Sequence, residues 1–145
     1  MKKDTEVVQN PTEVLRAGGF RATTSRIQLL RLLADVGAPL SIQMIAQKWK
    51  GVAPAVTTLY RSLTDLSGAG IVRRVDFNTG IAHFEYTPDR PHHHHIVCST
   101  CGRVEEVDFC PLGDVDARLL KPSAHFTSIY SHTLEFFGRC TVCAA

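Results

Sequence analysis

Apolar positions in the first half of the chain recur at three- and four-residue intervals, the spacing that gathers side chains on one face of a helix. Residues 11–19 predict a short helix. Residues 23–36 predict a longer one, with Ile27, Leu29, Leu30, Leu33 and Val36 at its apolar positions. Thr23, Thr24 or Ser25 can cap its start, and Gly37 with Pro39 stops it. Ser41 is expected to cap a third helix running through Trp49, with Ile42, Ile45, Ala46 and Trp49 on one face. Residues 54–67 predict a fourth, whose buried stripe would be Val56, Leu59, Leu63 and Leu66 and whose end is Gly68-Ala69-Gly70. The pattern then changes: residues 71–77 and 81–86 are β-rich and flank Asn78-Thr79-Gly80, a tight hairpin turn. Helices followed by a hairpin outline a winged helix-turn-helix, a variant of the motif that lays its second helix in the DNA major groove.

The doubly prolinated stretch Thr87-Pro88-Asp89-Arg90-Pro91 reads as a hinge. Beyond it, residues 92–98 and 103–109 predict short strands, 112–120 a helix, and 126–137 a further strand. The expected class is α+β: a winged-helix DNA-binding domain over 1–86, a hinge over 87–91, and a small α/β domain over 92–145. Two domains from 145 residues are each small, and small domains often need a metal or a partner subunit to be stable.

Hydrophobic residues at 44% and charged residues at 21% fit a folded chain. The net charge of +2 hides an asymmetry: residues 1–86 carry 11 Lys/Arg against 7 Asp/Glu, residues 87–145 carry 5 against 7. A mildly basic front half permits phosphate contact without proving it. No apolar run reaches the length of a membrane span, and Met1 to Glu6 leads into no signal-peptide core, so a cytoplasmic location is expected. In a reducing compartment, five cysteines are read first as metal ligands.

The strongest chemical pattern is Cys98-x-x-Cys101 followed by Cys140-x-x-Cys143. Two residues between thiolates let a tight turn aim both sulfurs at one point, and two such turns complete a tetrahedron suited to structural Zn(2+). That metal would tie the end of the domain back to its beginning and serve folding rather than chemistry. A second cluster is His92-His93-His94-His95, with Glu85 before it and Glu105, Glu106 and Asp108 after. Alternate strand residues face opposite sides, so His93 and His95 would point one way and His92 and His94 the other, making two separate sites of mixed nitrogen and oxygen donors. Cys110 is left over and is most simply a buried thiol.

Taken in order, Arg21 to Arg26, Thr58-Leu-Tyr60-Arg61-Ser-Leu63, Gly70 to Arg73, His92 through Gly102, Glu105-Glu106, Ser131-His132 and Gly138 to Cys143 resemble the ferric uptake regulator family of iron, zinc, manganese and peroxide sensors across nearly the whole chain. The resemblance implies a homodimeric, metal-dependent repressor that grips palindromic operator DNA to control metal-uptake genes. It implies a sensor site at Glu85, His93, His95 and Glu106 that crosses the hinge and takes Fe(2+) or Zn(2+), with Mn(2+) a further candidate. It also implies an additional site at His92, His94 and His132 with an acidic ligand, for which Asp114 and Asp116 are candidates.

One departure matters. Iron-type members place a histidine ahead of the third helix, where this chain has Gly37-Ala38-Pro39-Leu40-Ser41. A lower coordination number suits zinc, whereas Glu85, where zinc-type members often place cysteine, argues the other way. Aspartates stand in the peroxide branch where this chain has Glu85 and Glu106. For DNA, family precedent and geometry agree on Thr57, Thr58, Tyr60 and Arg61 on the fourth helix and on Arg21, with Arg73 and Arg74 as wing contacts to phosphate. Phe20 and Trp49 are expected in the core; His83 on the wing is read as a surface histidine before a stray ligand, and His125 suggests no partner. A zinc-dependent hydrolase, the competing class, would need an open coordination position and a general base, and the chain has no His-Glu-x-x-His helix.

Overall fold

The structure, a computed structural model, describes residues 10–88 and 90–145, and these divide into two compact units, the residues up to Arg90 and those from Pro91 onward. In the first unit, α1 (Pro11–Ala17) starts on an Asn10 cap, and α2 (Thr24–Val36) starts on Thr23, whose side chain accepts from the Arg26 amide. Gly37 ends α2 in the left-handed conformation, φ +62°, which a residue without Cβ adopts at little cost. The two-residue strand β1 (Leu40–Ser41) leads directly into α3 (Ile42–Lys48), where the Ser41 hydroxyl accepts from the Met44 amide. The longer helix α4 (Val56–Gly68) follows, then β2 (Val72–Asp76) and β3 (Ala82–Tyr86).

β2 and β3 form the antiparallel hairpin, with Val72 opposite Tyr86 and Asp76 opposite Ala82. Its turn uses positive φ at Asn78 and Gly80. β1 joins the other edge of β3, making the order β1-β3-β2. One apolar core holds the unit together: Leu15 of α1, Leu29, Leu30 and Leu33 of α2, Ile45 of α3, Leu59, Leu63 and Leu66 of α4, and Phe84 of the wing are all buried. Each such side chain contributes about 1.5–3 kcal/mol of transfer free energy. Phe20 and Trp49 lie against this core, as expected. Val56 does not: it is 58% exposed in the first turn of α4, beyond the edge of the core, so the buried stripe begins at Leu59.

In the second unit, β4 (His94–Cys98) is the central strand, antiparallel to β5 (Val104–Val107) and parallel to β6 (Glu135–Gly138). Two short helices complete it, α5 (Val115–Leu120) and α6 (Thr141–Ala144). Two expectations are corrected here. The helix expected from residue 112 begins only at Val115, because Gly113 has φ +51° and cannot extend a right-handed helix. The strand expected over 126–137 is confined to residues 135–138: Phe126 and Tyr130 are exposed, and the stretch before Glu135 pairs with no strand among the described residues. No helix among the described residues is long and apolar enough to cross a membrane.

Candidate metal centres

Cys98 ends β4 and Cys101 follows a tight turn in which Gly102, at φ +74°, donates its amide to the Cys98 carbonyl at 2.9 Å. Cys140 precedes α6 and Cys143 lies one turn along it. Because β6 runs parallel to β4, with Cys98 opposite Gly138, the second pair arrives beside the first. A sulfur from each of the four lies within 4.8 Å of the others, and Cys101 Sγ is 3.7 Å from Cys140 Sγ. Zn–S bonds of about 2.3 Å at tetrahedral angles place sulfurs roughly 3.8 Å apart, so this four-cysteine cluster fits a structural zinc.

Electrostatics point the same way. The Cys140 amide donates to Cys98 Sγ at 3.3 Å, and this with the Cys101 amide pulls the Cys98 thiol down to about 5. Cys143 is pushed up to about 12, first by the Cys140 sulfur beside it and then by Cys101. Sulfurs this close cannot all be thiolates unless a cation lies between them, which is what a divalent ion supplies.

The histidine cluster runs from His92 into the start of β4, and alternation along the chain sorts it. The rings of His93 and His95 lie 5.1 Å apart, edge to face, on one side. Those of His92 and His94 lie 4.6 Å apart on the other. His93 donates Nδ1–H to the Pro91 carbonyl (2.9 Å), and His95 Nδ1 is 3.0 Å from Glu135 Oε2, so Nε2 is the nitrogen each would offer a metal. Register explains the carboxylates: His95 pairs across to Glu106 on β5 and to Glu135 on β6. Sequence reasoning named Glu106 and missed Glu135, whose position depends on parallel pairing between strands forty residues apart.

On the opposite side, His92 Nε2 is 2.9 Å from His94 Nε2, and the His132 ring packs against both. Asp116 Oδ1 is 3.6 Å from His132 Nδ1, while Asp114 is exposed at the start of α5. Cys110, expected as a buried thiol, is half-buried with Sγ 3.6 Å from His132 Nε2.

In the first unit, Glu85 is fully buried on β3. Arg73 Nε donates to its Oε1 at 2.6 Å and Arg90 Nη1 to its Oε2 at 3.4 Å, so Arg73, expected as a phosphate contact, is also an ion-pair partner of this carboxylate. Arg74, its neighbour on β2, is exposed. Thr57, Thr58, Tyr60 and Arg61 lie on the exposed side of α4, opposite Leu59, Leu63 and Leu66, with Tyr60 half exposed; Arg21 is exposed ahead of α2. His83 bonds locally to the Ile81 carbonyl, and His125 is exposed.

The profile of the ferric uptake regulator family matches residues 17–137. The ferric uptake regulation protein of Legionella pneumophila is 33% identical over 136 residues, covering 91% of this chain and 97% of that protein. Among solved structures, the ferric uptake regulator of Vibrio cholerae superimposes with a TM-score of 0.72 at 26% identity, over 89% of this chain and 98% of that one. The ferric uptake regulator of Francisella tularensis, solved with iron, gives 0.70 at 25% identity, over 88% and 96%. A winged helix-turn-helix, a small α/β unit closed by a four-cysteine cluster and a match over most of its length make this chain a member of the ferric uptake regulator family of metal-responsive regulators.

Proposed function

We propose that the chain is a metal-dependent transcriptional repressor that binds palindromic operator DNA as a homodimer when Fe(2+) or Zn(2+) occupies a sensor site built from Glu85, His93, His95 and Glu106. The observation that carries this reading is the anchoring of both His93 and His95 through Nδ1, which leaves Nε2 as the atom each would offer an ion, in the segment that follows the hinge. Three ligands from residues 92–145 and one from the winged-helix domain, 1–86, would let an ion favour one orientation of the two domains. That is the differential binding a switch requires. Glu85 would exchange its guanidinium partners for the ion, one buried countercharge for another.

The DNA end of the reading rests on α4, whose exposed Thr57, Thr58, Tyr60 and Arg61 suit base and phosphate contact, with Arg21 alongside. The dimer is supported by the apolar side chains the second unit leaves exposed, Phe109, Phe126, Tyr130 and Phe137 among them, which a second copy would cover. The test is operator affinity of the zinc-loaded dimer titrated against buffered Fe(2+), Mn(2+) and Zn(2+). At least one ion is expected to tighten binding by about 5–150-fold, and His93→Ala to abolish that gain with the fold intact. An operator affinity indifferent to all three ions sinks the proposal.

A further inference from the structure

The cluster around His92 and His94 holds a donor that the expected ligand set lacks. One ligand atom from each of His92, His94, Cys110 and His132 lies within 4.8 Å of all the others. The separations, 2.9 Å between the Nε2 atoms of His92 and His94 and 3.6 Å from Cys110 Sγ to His132 Nε2, bracket the roughly 3.3–3.6 Å edges of a tetrahedron with Zn–N about 2.0 Å and Zn–S about 2.3 Å. Two of the three opposite ring nitrogens are accounted for. His94 donates Nδ1–H to the Leu134 carbonyl at 2.9 Å, which leaves Nε2 its lone pair, and His132 turns Nδ1 toward Asp116 and Nε2 toward the sulfur. Asp116 is therefore placed to orient His132 from behind rather than to ligate.

We infer that Cys110 completes a closed, four-coordinate site of three nitrogens and one sulfur with His92, His94 and His132, selective for Zn(2+) over Fe(2+) and Mn(2+). Three imidazoles and a thiolate are a softer set than imidazoles with a carboxylate, and a thiolate in place of an acid moves preference toward zinc. With all four positions filled by protein, the site has no place for substrate and serves structure. It has a segment to hold. Between Asp108 and Leu134 no side chain is buried, and α5 is the only regular element there, so little apolar burial fixes that stretch to the sheet. Cys110 and His132, near its two ends, would pin it to β4 through one ion.

The site stands or falls independently of the sensor, because its test reads sulfur and not DNA. The full-length protein, isolated with zinc in the four-cysteine site, is titrated with Co(2+). Thiolate-to-cobalt charge-transfer absorption is expected in the wild type and its loss in Cys110→Ala, with the structural zinc retained in both. Cobalt at the proposed sensor, which has no sulfur donor, would not give this band. Cys110→Asp should still take up cobalt, without the band. A second measurement needs no variant: adding zinc beyond the structural equivalent should suppress alkylation of Cys110, read by mass spectrometry. Alkylation unaffected by zinc, or a charge-transfer band that persists in Cys110→Ala, overturns the assignment. If Cys110 is protected while operator binding ignores every ion, the site survives and the proposed function fails.

Discussion

The two units of this chain are held together by different physics. The first buries leucines from three of its four helices and Phe84 of the wing in one continuous core. In the second, the buried apolar side chains among the described residues are Val97 and the zinc-cluster residue Cys98, while the other buried side chains are His93, His94 and His95. Phe109, Phe126, Tyr130 and Phe137 are left exposed. A core of that size cannot offset the conformational entropy of ordering more than fifty residues. Metal coordination and a partner surface must contribute what apolar burial contributes in the first unit.

The largest expected effect breaks the metal side of this contrast. Cys98→Ser removes the ligand that the Cys140 amide prepares as a thiolate, and structural zinc sites contribute apparent free energies of about 10–16 kcal/mol in small domains. The variant is expected to lose its structural zinc and the ordered second unit, while the first keeps its helical signal and cooperative melting. Metal analysis with circular dichroism and sedimentation checks this. Full zinc content in a dimeric variant refutes the four-cysteine assignment.

The complementary change breaks the apolar side. Leu63 is fully buried on α4, and Leu63→Ala is expected to cost the first unit about 2–5 kcal/mol, the sum of lost transfer energy and a cavity that relaxes incompletely. Zinc content should be unchanged. Denaturant unfolding monitored at Trp49, the chain's single tryptophan and part of the shell around this core, reads the loss directly. Destabilisation of the second unit by an equal amount would show that the two units do not fold by separate means.

The same contrast explains what the sequence revealed. Core-forming leucines repeat with the helical period because burial demands it, so the helices and the hairpin could be read from periodicity and Gly stops. Val56 failed because it matches the period but lies past the edge of what α4 covers. The four-cysteine cluster was legible since each chelating pair is encoded locally, by two residues between thiols. Cys110 and Glu135 were not, because they reach His132 and His95 through loop path and strand register, which no local pattern records. Phe126 and Tyr130 mimicked a strand for a related reason: alternation marks a segment with one covered face, and nothing among the described residues covers theirs.

The smallest expected effect sharpens the comparison within the second unit itself, between a residue proposed to hold metal and one that would orient that ligand. Glu135 Oε2 is 3.0 Å from His95 Nδ1, so the carboxylate fixes the ring's orientation and makes Nε2 a better donor. Glu135→Gln keeps the size and one acceptor oxygen but removes the negative charge. Losing such a partner typically lowers metal affinity about 10–100-fold, well short of losing a ligand. The variant should therefore keep its four-cysteine zinc and its fold, and require more buffered ion to reach the same operator affinity. The maximal affinity at saturating ion should be unchanged, since the ligands themselves remain. A shift in that maximum, with the midpoint fixed, would place Glu135 in the DNA-bound conformation rather than behind His95.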